Sequence, residues 1–482
     1  MPIEYSPEKA TAMQARDTSL TTDQKALAIN LDKYKYGAIV EIGAGQEVAR
    51  RFFHVGGAAG TIAKTMSAYD MAISDEIYGH VDRYVSRARL LQMLDNEFRL
   101  VVDRLTTLRD PATTFFAYAA TVTARSFKQK NECHGWVGVR LQLSPGAPPS
   151  DIILHVRMLD NDNEHQSEAL GILGVNLLYG ALFQHASPRW IIEGLADGLG
   201  GERIEVDLID FSGPGFRDVE NHLMNLHLIR SKLTRAVVFS PDGAVVMPGD
   251  LFYRKPVLVM RGRFRPVTHV DNDMKTAGLE QFSQLAEVTQ SEIVSLAEIT
   301  MNSLSGSDDA EGADFLARIE LLASQGYTVM ISDYVRFFRL RAYLRRYTQQ
   351  PIGIVLSVRE FESLFDESFY AGLEGGILEA FGKLFPDNTH VYIYPSRLDG
   401  PHGSTVVTLD NVQVPDHLLH LFAHLVENEK LLAIEPLDDS HLHINDCDVL
   451  ARLQSGNRDW LSSVPEEVAR RIVAKGLLGY AA

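Results

Sequence analysis

Cysteine is almost missing from this chain: Cys133 and Cys447 are the only two in 482 residues, and they lie far apart in sequence. A disulfide framework is therefore not expected, and a reducing, cytoplasmic setting is the expectation. Low-complexity tracts and any excess of proline or glycine are also lacking, which removes the usual signatures of disorder. Positive charge is in deficit, with 46 Lys and Arg against 63 Asp and Glu, a formal charge of −17. DNA, RNA and anionic lipid would meet net repulsion before any local contact formed, so no nucleic-acid or membrane partner is expected. Long apolar runs are missing too. The longest, Ala169–Phe183, spans about 15 residues and contains Asn176, short of the roughly 20 needed to cross a bilayer, and it reads as a buried helix. The first 22 residues have neither the basic start nor the apolar stretch of a secretory signal, so export by that route is not expected. No repeat period is found.

What is present is an ordinary globular composition, 45% hydrophobic and 23% charged, in a chain long enough for two or three domains. Hydrophobic spacing alternates between strand-like runs and helical periods. Strands are expected at Tyr36–Ile42, Thr113–Ala124, Trp136–Leu143, Asp151–Leu159, Arg203–Phe211 and Ala236–Phe239, with helices at Gln46–His54, Thr61–Tyr78, Val85–Leu108, Glu164–Gln184, Pro188–Gly198 and Val219–Leu233. The second and third of the β-rich runs after residue 113 are joined by the turn-forming Ser144–Ser150 and suit a hairpin.

A second block alternates regularly. Strands at Pro256–Phe264, Glu292–Met301, Tyr327–Ser332 and Pro351–Val358 are separated by helices at Asp271–Glu287, Ala313–Gln325 and Tyr334–Tyr347. Such crossovers suit a parallel sheet covered on both faces. Ser305–Gly312 is a polar connector. The expected fold class is α/β, multi-domain, with mostly parallel sheets flanked by helices. It divides into an N-terminal extension (1–30), an α/β domain with a mixed sheet (31–250), a Rossmann-like α/β domain (251–397) and a C-terminal helical tail (398–482).

The motif with most chemical content is the strand-to-helix turn Met260–Met274, MRGRFRPVTHVDNDM. Glycine permits close backbone approach, proline fixes the turn, and the N-terminus of the next helix offers N–H groups and positive dipole to a phosphate. Arg261, Arg263 and Arg265 alternate and would share one strand face, a possible phosphate clamp. The turn resembles the opening of nucleotidyltransferases of the nicotinate-nucleotide adenylyltransferase type, where a strand runs into G-x-F-x-P-x-H-x-G-H and the histidines meet the nucleotide phosphates. Gly262, Phe264, Pro266, Thr268 and His269 match in type and approximate place.

The resemblance implies an ATP- or NAD-type nucleotide, or a phosphorylated small molecule, held by Gly262, Arg263, Phe264, Arg265, Thr268 and His269, and adenylyl transfer as the activity if the chain is an enzyme. Two departures stand against it. Val270-Asp271-Asn272-Asp273 occupies the place of the family's Gly-His pair, and carboxylates there repel phosphate, so Asp271 or Asn272 suits a helix N-cap better. The family's later Ser/Thr-rich turn with arginine is matched only poorly by Leu356-Ser357-Val358-Arg359. A catalytically silent descendant and a self-assembling structural protein therefore stand beside the nucleotide-using enzyme.

Over nearly its whole length the chain is also similar to a widespread bacterial family of unestablished role, through EIGAGQEVARRFF (Glu41–Phe53), IILHVRMLDNDN (Ile152–Asn163), ERIEVDLIDFSGPGF (Glu202–Phe216) and GGILEAFGKLF (Gly375–Phe385). Members are often labelled adenylyltransferase or outer-membrane receptor. The receptor label is at odds with the missing aromatic girdles and export signal.

Other candidates are weaker. Gly43-Ala-Gly45 follows a strand and opens a helix, but Val48 stands where a Rossmann loop has its third glycine or alanine. Gly56–Gly60 with Lys64 and Thr65 lacks the lysine spacing of a P-loop. Asp160, Asp162, Asp210 and Ser212 sit at strand ends, and Glu205 and Asp207 share a strand face. His417, His420 and His424 fall on one helix, and His441 and His443 lie near Asp446 and Cys447, either set a possible metal cluster. Arg336, Arg339, Arg341, Arg345 and Arg346 crowd one helix among aromatics, a pattern that could touch RNA or a phosphorylated ligand, although in a chain of net −17 acidic neighbours or another subunit suit it better. A homo-oligomer is expected.

Overall fold

The structure, a computed structural model, describes residues 20–123, 133–200, 202–285, 288, 292–304, 308–386, 388–400 and 403–481. Residues 305–307 of the expected connector lie outside the described residues, whereas Asp308 already begins a helix. The chain divides into two compact units, Met1–Thr234 and Arg235–Ala482.

The first unit contains β1 (Lys35–Gly43), β2 (Ile62–Met66), β3 (Thr114–Val122), β4 (Cys133–Leu141), β5 (Ser150–Met158) and β6 (Ile204–Ser212). Its helices are α1 (Thr22–Leu31), α2 (Glu47–His54), α3 (Met71–Tyr78), α4 (Arg87–Leu105), α5 (Asn163–Phe183), α6 (Pro188–Gly194) and α7 (Asn221–Arg230). The sheet runs β2-β1-β3-β4-β5-β6. β1 pairs in parallel with β2 and β3, and the remaining pairs are antiparallel, the β4–β5 hairpin included.

β3, TFFAYAATV, is buried at every position, as a strand covered on both faces must be. On one face α2 and α5 pack Val48, Phe52, Leu173 and Leu177 into the core. Gly174 makes that approach possible, since a Cβ there would stand 2.3 Å from Val48 Cγ2. α5 is the apolar run noted above, buried almost all round, and no described helix is long and apolar enough to cross a membrane. The stretch from Thr61, expected to be helical throughout, instead starts as strand β2 along Gly37–Val40. Only from Met71 is it helix, where Asp70 caps the Ile73 N–H.

In the second unit the strands are β7 (Ala236–Phe239), β8 (Val245–Val246), β9 (Val257–Arg261), β10 (Val294–Thr300), β11 (Thr328–Ser332), β12 (Ile352–Ser357), β13 (Thr389–Tyr394), β14 (Ser396–Gly400), β15 (Gly403–Val407) and β16 (Leu431–Ala433). The helices are α8 (Pro248–Phe252), α9 (His269–Phe282), α10 (Asp308–Ser324), α11 (Phe337–Leu344), α12 (Val358–Leu364), α13 (Gly376–Leu384), α14 (Leu419–Glu427), α15 (Asp446–Gln454) and α16 (Glu466–Lys475). The main sheet has the order β16-β13-β12-β9-β10-β11-β7-β8. Counted from β9, its six parallel strands run 3-2-1-4-5-6, the doubly wound dinucleotide order, with the topological switch between β9 and β12.

The α/β fold class with helix-flanked, parallel-rich sheets is thus present. The unit boundary falls at Thr234 rather than near Asp250, because β7 pairs antiparallel with β11 and extends the second sheet. Nor is the chain after residue 397 only a helical tail, since β16 adds a parallel strand beside β13. The arginine-rich helix is shorter than expected: Tyr334 and Val335 form a loop whose carbonyls accept from Arg261.

Candidate functional site

In a doubly wound sheet, ligands gather outside the carboxyl ends of the strands at the switch point. Here that place is bounded by the turn after β9 and the start of α12 after β12. β9 is buried up to Met260, and the turn then folds onto itself. Gly262 carries no Cβ because one would lie 2.9 Å from Phe264 Cζ. Phe264, at φ +48, is buried beside the Tyr327 ring, and the Arg265–Pro266 bond is cis.

Thr268 caps α9, and Asp271 completes the cap. The Thr268 N–H donates to Asp271 Oδ2 at 2.7 Å and the Thr268 hydroxyl at 2.8 Å, while the Asp271 N–H returns to Thr268 Oγ1 at 3.4 Å. A carboxylate of the chain itself thereby occupies the helix terminus that would receive a phosphate. Burial pushes Asp271 up to about 7, against the hydrogen bonds from Thr268 that favour its charged form. α12 repeats the device: the Ser357 N–H and hydroxyl donate to Glu360 Oε2 at 3.0 and 3.1 Å, and burial raises Glu360 to about 7, with the Asp271 charge adding to the rise.

The basic side chains of the turn are committed as well. Arg261 forks onto Glu298 at 2.8 and 3.0 Å and lies over the Phe337 ring. Arg263 meets Asp446 at 3.0 Å and Cys447 beside it, and Arg265 meets Asp314 at 2.5 Å. The three do not share a strand face, because β9 ends at Arg261. His269 stacks on His441, with ring centroids 4.9 Å apart and planes 11° apart, and burial lowers its affinity for a proton. The chain just before His441 is tied to α9 as well, since Leu437 N–H donates to Asp273 Oδ2 at 3.1 Å. The segment after β16 therefore lies against this turn.

The first unit has a matching arrangement. Glu41, at the end of β1, accepts from the Val48 and Ala49 N–H groups of α2 at 3.1 and 3.0 Å, and burial raises it to about 7. Gly43, at φ +103, is required there because a Cβ would fall 1.7 Å from the Val122 carbonyl oxygen. Lys64 lies on β2 and pairs with Glu97 at 2.6 Å.

The other candidates are scattered. Asp210 pairs with Arg87 and accepts from Asn221, Ser212 ends β6, Asp160 pairs with Arg203 at 2.9 Å, and Asp162 caps α5. Glu205 pairs with Arg157 at 3.0 Å. His417 meets Glu367, apart from His420 and His424 on α14. Among the described residues no group of three His, Cys, Asp or Glu is placed to hold a metal.

Sequence reasoning missed two features. One is the buried chain in which Asp207 meets His155 at 2.6 Å and His155 meets His134 at 3.1 Å, a juxtaposition that period-2 alternation on β4 and β5 could have suggested. The other is the partnership of Glu298 with Arg261 at the switch point, 37 residues apart in sequence, which no local spacing encodes.

No family model and no curated protein matches the chain. Among solved structures it is similar to the nicotinic acid mononucleotide adenylyltransferase of Plasmodium falciparum complexed with APC (13% identity, 47% of this chain, 99% of that one, TM-score 0.29). It is similar also to a putative nicotinate-nucleotide adenylyltransferase from Vibrio parahaemolyticus (14%, 47% and 97%, TM-score 0.23). A third likeness is to the competence/damage inducible protein CihA from Agrobacterium tumefaciens (15%, 33% and 93%, TM-score 0.23). At these values the likenesses carry no functional weight.

Proposed function

We propose that the second unit is a nucleotidyltransferase-like unit whose nucleotide or phosphate site, at Gly262, Arg263, Phe264, Arg265, Thr268 and His269, is degenerate and closed from within, so that the chain transfers no adenylyl group. The observation that carries this reading is the Thr268–Asp271 cap. An incoming phosphate would have to displace a hydrogen-bonded, partly buried carboxylate from the terminus of α9 or sit beside it, and either outcome removes the helix-terminus contribution to binding. The arginines do not offset that loss, because each already neutralises a carboxylate of its own.

The test is an adenylyl-transfer assay with ATP and nicotinate mononucleotide, run beside thermal unfolding with ATP and NAD. Ligands that bind the native state raise Tm by mass action. No product and no rise in Tm are expected. Turnover, or a rise in Tm abolished by His269→Ala, would overturn the reading.

A specific observation also favours self-association of the first unit. β2 is the outer strand of its sheet, and the segment leading from it exposes Tyr69 (63%), Met71 (63%) and Ile73 (54%) in close succession. An edge with apolar side chains beside it is a ready surface for a second copy. Light scattering at micromolar protein should show a species larger than the monomer, diminished in Met71→Lys. A strict monomer in the unsubstituted chain counts against it.

A further inference from the structure

The arginines of the second unit differ in their partners. Arg261, Arg263, Arg265 and Arg318 each meet a carboxylate. Arg341, on α11, and Arg345, the residue that caps its C-terminus, four residues apart, do not: every side-chain hydrogen bond of theirs among the described residues is to a neutral oxygen. Arg345 is held rigidly, its Nη1 donating to the Gln350 carbonyl at 2.6 Å and its Nη2 to Asn388 Oδ1 at 2.5 Å, while its Nε is buried with no partner. Arg341 is positioned by one bond, from Nε to the hydroxyl of the fully buried Thr389 at 3.1 Å. Neither of its Nη groups donates to a described residue. Burial lowers the proton affinity of both guanidinium groups, and the Arg341 charge adds to the effect on Arg345, which falls to about 10.

Two neighbouring cations, partly removed from water and meeting no carboxylate among the described residues, form an arrangement that an anion stabilises. We propose that Arg341 and Arg345 form an oxyanion subsite for the phosphate group of a small soluble molecule. The pre-set planar fork of Arg341 presents its two Nη groups, Arg345 supplies the second positive charge, and Thr389 fixes the orientation. A guanidinium fork matches two oxygens of a phosphate, and a dianion balances the two charges. The subsite lies beside Ile352 and Thr389, the first residues of β12 and β13, at the opposite end of these strands from the turn at Gly262. It therefore stands whether or not that turn takes a nucleotide.

The test uses the full chain, with inorganic phosphate as the probe and sodium chloride at matched ionic strength as the reference. A saturable rise in Tm of a few degrees with phosphate is expected. The rise should be lost in Arg341→Gln, reduced in Arg341→Lys, which keeps the charge without the fork, and retained in Arg339→Gln on the exposed side of the same helix. If Arg341→Gln fails to fold, Arg341→Lys decides. No rise beyond chloride, a rise unchanged in the Arg341 variants, or an equal loss in Arg339→Gln would each overturn the proposal.

Discussion

Asp271 is a carboxyl group whose proton affinity is set by competition between burial and two hydrogen bonds, and burial prevails. Its folded-state pKa, about 7 against an ordinary 3.8, is raised, so the folded protein holds a proton there that the unfolded chain releases. Its contribution to stability is complete below about pH 4 and is lost as pH rises toward about 7. Asp271→Asn keeps an acceptor for Thr268 and has no proton to lose. The fall in Tm between pH 5 and pH 7.5 should therefore be shallower in the variant than in the parent chain, and equal slopes would show that the carboxyl is not raised. His269 works in the opposite sense, its depressed pKa costing stability as pH falls, which is why the comparison must be between variants and not along one curve. At Gly262 the expectation is steric: an added Cβ would press on the buried Phe264 ring, and Gly262→Ala should cost about 1–3 kcal/mol in denaturant unfolding.

At the scale of elements, the α2–α5 crossing is the clearest case of packing dictated by a missing side chain. Gly174→Ala would push against Val48 Cγ2 at 2.3 Å and Tyr118 Oη at 2.7 Å, an overpacking cost again of about 1–3 kcal/mol. Val48→Ala in the same chain should recover part of it, a non-additivity that chemical denaturation of the single and double variants would detect. Elements with strong periodicity were legible in the sequence: β1, β3, α4, α5 and the alternation from β9 to β12 fall where hydrophobic spacing puts them. β2 was not, because Ile62–Met66 holds too few apolar residues to outweigh the helical pattern after it, and its strand state depends on pairing with Gly37–Val40. β13 was missed as well. Its short THVYIY run becomes a strand through pairing with β12 and β16, contacts that no local window holds.

For the molecule as a whole, the acidic balance and the carboxylate-capped turn at Gly262 tell one story about phosphate. Residue types around that turn were legible from the sequence, but the N-cap expected at Asp271 or Asn272 falls on Thr268, with Asp271 three residues on closing the capping box. What could not be read was the destination of each arginine, since Glu298, Asp446 and Asp314 reach the turn from β10, α15 and α10. Nor could spacing show that the chain after β16 would stack His441 on His269. In the first unit, Glu41 at the head of α2 repeats the same solution. In both units a carboxylate of the chain holds the position an anion would seek. The most direct measurement is a crystal structure grown with saturating ATP. The account predicts Asp271 Oδ2 still on the Thr268 N–H, with no nucleotide at the turn. Phosphate oxygens on the N–H groups at the start of α9, with the Asp271 side chain turned away, would contradict it.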